Sequence, residues 1–358
     1  MRIALLTFHD TTNFGSFLQT YGLFKTLESI GIDCEILNYE CEAIKRKELP
    51  ARRPEAWNPK KILKFLLFEP IKRNKYKSMI SEVNKYFKLS KRYVRQTIMQ
   101  SADEYDAFLV GSDILWGLDI TEGDTTYFLD FVKDKNKKFA FSTSVGNPWN
   151  SKEKEIVAPL LDDFSQIAVR EYEAVEWIQE LVDKRISVVC DPTMLLPKEQ
   201  WRTFARQSHY YKEYQKKRYV LTYFGTKDGR LHRDAMNYAG SNDCEVWVIN
   251  YGIPIRGCKN IKPTQIDEFL ALVDNADAIF TASYHGMMFS IYFEKQFFYY
   301  NDNHPSRFDS VAERLGLTFL KRSSNGTFVE KAIDYKNVSK KVDEWREQSL
   351  QVLQGYWK

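Results

Sequence analysis

The chain has 358 residues, a net charge of +4, 44% hydrophobic residues and 28% charged residues. This length allows two domains of ordinary size, and the composition is typical of a soluble globular protein. No segment approaches the ~18 apolar residues that a membrane-spanning helix requires, so the sequence excludes a transmembrane segment.

The cysteines are odd in number and include no Cys-x-x-Cys pair. They are Cys34, Cys41, Cys190, Cys244 and Cys258. This pattern predicts reduced thiols in a cytoplasmic protein and no metal site. We also expect no bound cofactor and no nucleic-acid partner. The apolar run Met1 to Phe8 is short and lacks a cleavage site, so it predicts a strand rather than a signal peptide.

The first half alternates apolar runs with segments of helical spacing. Arg2 to Phe8 predicts a buried strand, Phe17 to Ile30 a helix and Ile32 to Tyr39 a second strand, which together form the opening of a doubly wound sheet. The loop between them has neither G-x-G-x-x-G nor a P-loop motif. Further strands are predicted at 107–110, 138–144, 165–170 and 186–193.

Polar residues follow these strands. After the first strand, His9, Asp10, Asn13 and Ser16 either line a site or cap the helix. After the third strand, Gly111, Ser112 and Asp113 precede Trp116. Glycine allows a ligand to approach closely, aspartate can accept a proton or orient sugar hydroxyls, and tryptophan offers a face for stacking. Arg170 ends the fifth strand and faces either a ligand crevice or a surface ion pair.

The second half repeats the pattern after a polar connection, Pro197 to Lys217. Strands are predicted at 218–225, 245–250, 278–282 and 296–300, and helices at 231–239, 264–275, 308–315 and 332–353. His285 lies where a strand becomes a helix. Free backbone N–H groups and the helix dipole favour the binding of an anion there. The same sequence is also compatible with a histidine that only caps the turn. Arg307 stands near another helix start.

The region from Cys41 to Arg95 is strongly basic. It holds 17 Lys or Arg and 5 Asp or Glu, a balance of 17 − 5 = +12, which leaves the rest of the chain at 4 − 12 = −8. Seven cations between Lys60 and Lys77 surround the apolar run 62–68. Two interpretations compete: the solvated face of an ordinary helix, and peripheral contact of the segment 60–77 with anionic lipid headgroups at the inner face of a membrane.

Seven short motifs in this order resemble the polysaccharide pyruvyl transferase family, over roughly residues 3 to 316. The motifs are Thr7–Tyr21 (TFHDTTNFGSFLQTY), Val110–Trp116 (VGSDILW), Ser144–Gly146 (SVG), Val169–Glu171 (VRE), Cys190–Thr193 (CDPT), Ser283–Gly286 (SYHG) and Ser306–Arg307. Some members have Arg-Leu-His where this chain has Ser283-Tyr284-His285, so Arg307 or a lysine would supply the missing charge.

The resemblance implies an α/β fold with two Rossmann-like domains that face a central cleft, as in GT-B glycosyltransferases, and a C-terminal helix. The N-terminal domain would span residues 1–195 and include a basic insert at about 42–95. The C-terminal domain would span residues 215–330, and the C-terminal helix would lie in 331–358. It also implies transfer of pyruvate from phosphoenolpyruvate to a glycan acceptor, with or without a lipid carrier, as a cyclic ketal for capsule or another bacterial surface polysaccharide.

The resemblance assigns roles to residues of this chain. Arg170, His285, Gly286 and Arg307 would bind phosphoenolpyruvate. We hypothesise that His285 acts on the donor as acid or phosphate ligand and that Asp113 orients or deprotonates the acceptor. The acceptor-binding candidates are His9, Asn13, Ser112 and Trp116. Two alternatives stay open: a nucleotide-sugar glycosyltransferase of GT-B type, and a glycan-binding protein without activity.

Overall fold

Two compact units make up the computed structural model, which describes residues 1–55, 57–301, 305–322 and 331–357. The first unit contains residues 1–48, 83–196 and 340–358, and the second contains 49–82 and 197–339. Residues 49–82 therefore group with the second unit, which corrects their assignment to an insert of the first domain. Within the described residues, no helix has the length and apolarity to cross a membrane.

The first unit is built on a parallel sheet of six strands. These are β1 (Arg2–Leu6), β2 (Asp33–Ile36), β3 (Ala107–Gly111), β4 (Lys138–Thr143), β5 (Gln166–Val169) and β6 (Ile186–Val188), in the order β2-β1-β3-β4-β5-β6. Most strand residues are buried because both faces of the sheet are covered, as the continuous apolar runs predict. The strand order reverses between β1 and β3, and such a switch point is where open α/β sheets bind ligands.

The second unit contains a parallel sheet of five strands. These are β7 (Tyr219–Tyr223), β8 (Glu245–Ile249), β9 (Lys259–Ile261), β10 (Ala278–Thr281) and β11 (Gln296–Tyr299), in the order β11-β10-β7-β8-β9. The order reverses between β7 and β10. Each unit is therefore Rossmann-like, and the predicted α/β class is confirmed.

Helices connect the strands and cover the sheets. They are α1 (Phe14–Ser29), α2 (Glu42–Glu48), α3 (Pro59–Tyr86), α4 (Leu118–Thr121), α5 (Ser151–Asp162), α6 (Tyr172–Gln179), α7 (Pro192–Leu195), α8 (Lys198–Ala205), α9 (Tyr211–Tyr214), α10 (Arg230–Asn242), α11 (Ile266–Asn275), α12 (Tyr284–Tyr292), α13 (Pro305–Leu315) and α14 (Tyr335–Gly355). The last of these is the predicted C-terminal helix.

The segment 197–217 is not the polar connection that its composition suggests. It contains α8 and α9, which pack on α11. Trp201, Phe204 and Ala205 are buried at helical spacing, and the Trp201 ring meets the Phe289 ring edge-on at 5.2 Å. The prediction was wrong because the charged residues between these apolar positions hid the period of 3.6.

Candidate functional site

Asp113 lies at the switch point of the first sheet, directly after β3. Ser112 and Asp113 both have left-handed backbones, with φ of 55° and 63°, an uncommon conformation for residues other than glycine. The Ser16 hydroxyl donates a hydrogen bond to Oδ2 of Asp113 at 2.6 Å, and the Ile114 amide donates to Oδ1 at 2.9 Å. The carboxylate is thus fixed between the start of α1 and the loop after β3.

A polar network continues from Asp113 along the carboxyl edge of this sheet. The Ser144 amide donates to the Asp113 carbonyl at 3.0 Å, and the Ser144 hydroxyl donates to the Glu171 carboxylate. Next to Glu171, the Arg170 guanidinium donates to Oδ2 of Asp191 at 2.7 Å. Asp191 also caps α7 by accepting a hydrogen bond from the Thr193 amide at 2.9 Å.

Arg170 is enclosed rather than exposed to a ligand. Its side chain is 1% exposed, and Nη2 lies 3.8 Å from the Glu171 carboxylate in addition to the contact with Asp191. A buried arginine between two carboxylates is already neutralised. In this structure Arg170 therefore ties the loops after β5 and β6 together, which corrects the expectation that it lies open at a crevice.

The acceptor-binding candidates differ in their exposure. Trp116 is completely buried, with its ring stacked on Phe128 at 5.5 Å and its indole N–H donated to the Tyr127 carbonyl at 3.0 Å. This position corrects the expected stacking role, since no face of the ring is accessible. Ser112 and His9 are buried as well, whereas Asn13 is exposed and caps α1 through its side-chain oxygen.

An open polar pocket of about 380 Å³ lies elsewhere in the first unit. Tyr39, Arg95 and Asp124 contribute to its lining. The Tyr39 hydroxyl donates to Asp124 at 2.5 Å, and Arg95 forms two hydrogen bonds with Asp130 at 2.7 and 2.6 Å. Fixed polar groups around an open pocket suit a polyhydroxylated ligand. Arg95 and Asp124 were not predicted because neither follows a predicted strand directly, and Tyr39 was predicted only as the last residue of the second strand.

His285 lies at the switch point of the second sheet, on the first turn of α12. Thr281 ends β10; its hydroxyl donates to the Tyr223 carbonyl at 2.8 Å and accepts from the Ser283 amide at 3.0 Å. The Ser283 side chain caps α12 by accepting from the Gly286 amide at 3.3 Å. A Cβ on Gly286 would lie 2.3 Å from the Thr281 hydroxyl oxygen, so only glycine allows the helix to start this close to the strand.

Aromatic contacts connect His285 to Arg307. The imidazole, 6% exposed, meets the Tyr284 ring edge-on at 5.3 Å. The Arg307 guanidinium carbon lies 5.7 Å from the centre of the same Tyr284 ring, a cation–π distance. The predicted histidine and arginine therefore both contact one aromatic ring, although 22 positions separate them in the sequence.

Two more arginines lie at the carboxyl edge of the second sheet, the edge that also carries His285. Arg230, the first residue of α10, lies 5.5 Å from the Tyr300 ring centre, and Tyr300 directly follows β11. The Tyr300 hydroxyl donates to Oδ2 of Asp234 at 2.6 Å, and Arg322 lies 3.5 Å from that oxygen. Burial, followed by this hydrogen bond, raises the pKa of Tyr300. Its hydroxyl therefore stays a donor at neutral pH.

Three arginines and two carboxylates lie at this second edge. Arg322 is 3.5 Å from Asp234 and Arg230 is 3.8 Å from Asp228, while Arg307 contacts the Tyr284 ring, so these five residues have a balance of 3 − 2 = +1. Guanidinium groups suit carboxylates and phosphates because their planar N–H groups match both. Arg307 was predicted from the sequence, whereas Arg230 and Arg322 were not. Arg230 begins the helix after the first strand of the unit, a position that could have indicated it, whereas Arg322 follows no recognisable signal.

The family model for polysaccharide pyruvyl transferase matches residues 13–304, most of the chain. The chain belongs to the polysaccharide pyruvyl transferase family. Its identification from seven short motifs is thus confirmed, and the coarse assignment as a transferase follows from the family. A search of curated protein sequences finds no similar sequence.

Solved structures agree with this family assignment in fold. The chain is similar to the UDP-GlcNAc 2-epimerase of Methanocaldococcus jannaschii in complex with UDP-GlcNAc and UDP, with a TM-score of 0.51 and 14% identity over 97% of this chain and 93% of that one. It is also similar to a putative UDP-N-acetylglucosamine 2-epimerase from Listeria monocytogenes, with a TM-score of 0.52 and 9% identity over 98% and 90%. At such identities the likeness concerns the fold, which is GT-B-like. The prediction that Arg170 and His285 converge on one ligand is untested, and the enclosure of Arg170 by Asp191 and Glu171 does not favour it.

Proposed function

We propose that this polysaccharide pyruvyl transferase family member moves pyruvate from phosphoenolpyruvate onto a sugar of a surface polysaccharide precursor as a cyclic ketal. The match of the family model over residues 13–304 carries the proposal. The arginines at the carboxyl edge of the second sheet support it, since phosphoenolpyruvate bears a carboxylate and a phosphate that guanidinium groups suit. Neutralising two anionic groups requires several fixed cations.

The reaction needs proton transfers at both substrates. A proton is added to the methylene carbon of phosphoenolpyruvate, and the central carbon becomes electrophilic. Two sugar hydroxyls form C–O bonds to that carbon while the C–O bond to phosphate breaks, so the products are the ketal and inorganic phosphate. Of the two hydroxyl protons, one balances the proton added to carbon and the other leaves with phosphate. No oxidant or reductant takes part.

The second unit offers groups for the donor side. His285, at the start of α12, would donate a proton or hold the phosphate. The Gly286 amide on the same turn would bind phosphate in place of its hydrogen bond to the Ser283 side chain. Arg307 is fixed near it by the shared Tyr284 ring. We add Arg230 and Arg322 to the proposed phosphoenolpyruvate-binding residues because both lie at the same carboxyl edge. Arg170 would contribute indirectly, by holding the loops after β5 and β6 in place.

The first unit offers groups for the acceptor side. Asp113 would orient or deprotonate a sugar hydroxyl, since its carboxylate is positioned by Ser16 and part-exposed at the switch point. Asn13 remains the exposed acceptor-binding candidate. The polar pocket that includes Tyr39 and Arg95 provides a further place for a sugar of the acceptor glycan.

Ligand-dependent thermal stability tests the proposal without knowledge of the acceptor. A ligand that binds only the folded state raises Tm. We expect phosphoenolpyruvate to raise Tm and UDP to leave it unchanged. A shift with UDP alone would instead favour a nucleotide-sugar glycosyltransferase on this fold. A shift with neither compound would favour a glycan-binding protein.

Four variants locate the donor site. We expect His285→Asn, Arg307→Gln, Arg230→Gln and Arg322→Gln each to reduce the shift with phosphoenolpyruvate. Arg218→Gln is the matched control, because Arg218 directly precedes β7 at the opposite edge of the same sheet and is exposed. Equal shifts in the control and in all four variants would place donor binding elsewhere.

A further inference from the structure

Helix α3 exposes an apolar stripe to solvent. Leu63, Leu66 and Leu67 are 57%, 62% and 55% exposed, and Trp57, just before the helix, is 78% exposed. Side chains of this size are seldom exposed together in a soluble protein, and a contiguous apolar patch marks an interaction surface. The described part of the chain places no group over these leucines that hides them from solvent.

The stripe occupies one face of the helix. Positions 63, 66, 67 and 70 follow the i, i+3, i+4, i+7 spacing that aligns side chains along an α-helix, and Pro70 is exposed like the leucines. The opposite face is held within the second unit, because Lys75 lies 4.1 Å from the Tyr251 ring centre and Met79 is buried. The helix is therefore anchored on one side and presents leucines on the other.

Cations border the leucines at both ends of this face. Lys60 stands one turn before Leu63, and Arg73 stands one turn after Pro70; both are exposed, as are Lys64 and Lys77. Between residues 60 and 77 the chain has seven Lys or Arg and one acidic residue, a balance of 7 − 1 = +6. The acidic residue, Glu69, is buried; it accepts a hydrogen bond from the Ala51 amide and lies 3.6 Å from the Lys72 ammonium, so it offsets one of the seven cations and leaves the excess of six.

We propose that this face of α3 rests on the surface of an anionic lipid bilayer. Leucines with lysines beside them suit the boundary between headgroups and acyl chains, where apolar side chains enter and cationic ends reach the phosphates. Several basic residues add attraction to anionic headgroups, and an exposed tryptophan at the edge is typical of residues at that boundary. The surface lies outside the residues of the proposed reaction and does not depend on it.

The charge pattern favours lipid over a second copy of the chain. In a two-fold contact through the leucines, antiparallel helices would bring Lys60 of one copy towards Arg73 of the other, and parallel helices would align like charges. Like charges held together oppose association. An anionic bilayer instead complements the cations at both ends of the stripe.

Vesicle co-sedimentation of the full chain tests this proposal. We expect binding to vesicles that mix phosphatidylcholine with phosphatidylglycerol, little binding to phosphatidylcholine alone, and release at high salt, since screening weakens the attraction. The double variant Leu66→Glu, Leu67→Glu should lose binding, and Lys60→Gln, Lys64→Gln should reduce it several-fold. Both pairs are exposed, so circular dichroism should match the unchanged protein.

Two controls and one competing outcome complete the test. Ile253→Glu changes an isolated exposed apolar residue, and Lys212→Gln, Lys216→Gln removes two exposed lysines elsewhere in the second unit; both should keep full binding. Equal binding to neutral and anionic vesicles, or no binding at low salt, overturns the proposal. So does a dimer in sedimentation velocity that becomes a monomer in the leucine variant without any vesicle binding.

Discussion

Ser16 and Asp113 are joined by a hydrogen bond of 2.6 Å although 97 positions separate them in the chain. The two residues follow β1 and β3, the neighbouring strands between which the first sheet reverses its order. The hydrogen bond therefore connects the two segments that meet at the switch point. The hydroxyl is on the first turn of α1, and the carboxylate belongs to a loop residue with a left-handed backbone. The local fold and the proposed acceptor chemistry both depend on this loop.

Asp113→Ala should destabilise the first unit, whereas Asp113→Asn should not. Asparagine tolerates a left-handed backbone, keeps an oxygen that accepts from the Ile114 amide and can donate its NH2 group to the Ser16 hydroxyl, whereas alanine loses both hydrogen bonds and strains the loop, at a cost of about 1–2 kcal/mol. Urea unfolding measures both. Ser16→Ala is the matched control for the bond alone. If the Asp113→Ala variant unfolds at the same urea concentration as the unchanged protein, the loop does not constrain the fold.

The buried pair of Arg170 and Asp191 should be among the most sensitive positions. Asp191→Ala leaves a guanidinium buried without its 2.7 Å partner, and loss of one member of a buried ion pair costs about 3–5 kcal/mol. The exposed pair of Lys154 and Glu180, at 2.6 Å, provides the control; Glu180→Gln should cost less than about 1 kcal/mol. Similar losses in the two variants would contradict an enclosed Arg170.

The sequence predicts most of the strands because parallel strands covered on both faces are continuous apolar runs. β1, β3 and β10 begin where the sequence predicts, and their carboxyl ends carry Asp113 and His285. The third strand of the second sheet, β9, escaped prediction because Lys259–Ile261 is short and polar. Local pattern thus locates strands that are rich in apolar residues, including the half-buried β6, and misses a short strand that is mostly polar.

The environment of each site residue could not be predicted in the same way. Trp116 and Arg170 have residue types that suit ligands, but their burial depends on Phe128 and Asp191, which the sequence does not connect to them. Arg230 and Arg322 join the second edge through Tyr300 and Asp234. Such partners come from tertiary packing, which no local pattern in one sequence specifies.

Gly286→Ala should destabilise the second unit because the new methyl group would meet the Thr281 hydroxyl oxygen at 2.3 Å and its Cβ at 3.1 Å. Overpacking of this kind typically costs about 1–3 kcal/mol. Thr281→Ala removes the closest atom but also the hydrogen bonds of the hydroxyl with Tyr223 and Ser283, so alone it should be destabilising as well. The double variant should be more stable than the sum of the single effects predicts. Strict additivity in denaturant unfolding would contradict the contact.

His232 should make the stability of the second unit depend on pH. Burial lowers the pKa of its imidazole below the ordinary value of 6.5, and a Cβ on Gly225 would lie 2.7 Å from its Cε1 carbon, so the ring packs directly on that backbone. The unfolded chain then takes up the proton more readily than the folded one, and the free energy of unfolding falls as pH decreases below about 6.5. The stabilising contribution is complete above that pH, where both states are neutral.

Thermal unfolding at pH values from 8 down to about 5 measures this effect, because the unperturbed histidine pKa lies within that interval. We expect His232→Asn to flatten the decrease of Tm in the acidic part of the range, since asparagine does not titrate. His209 is exposed and provides the matched control; His209→Asn should keep the full decrease, because it leaves the His232 ring and its packing on Gly225 unchanged. If His209→Asn flattened the curve and His232→Asn did not, the ring on Gly225 would not be the group whose burial opposes protonation.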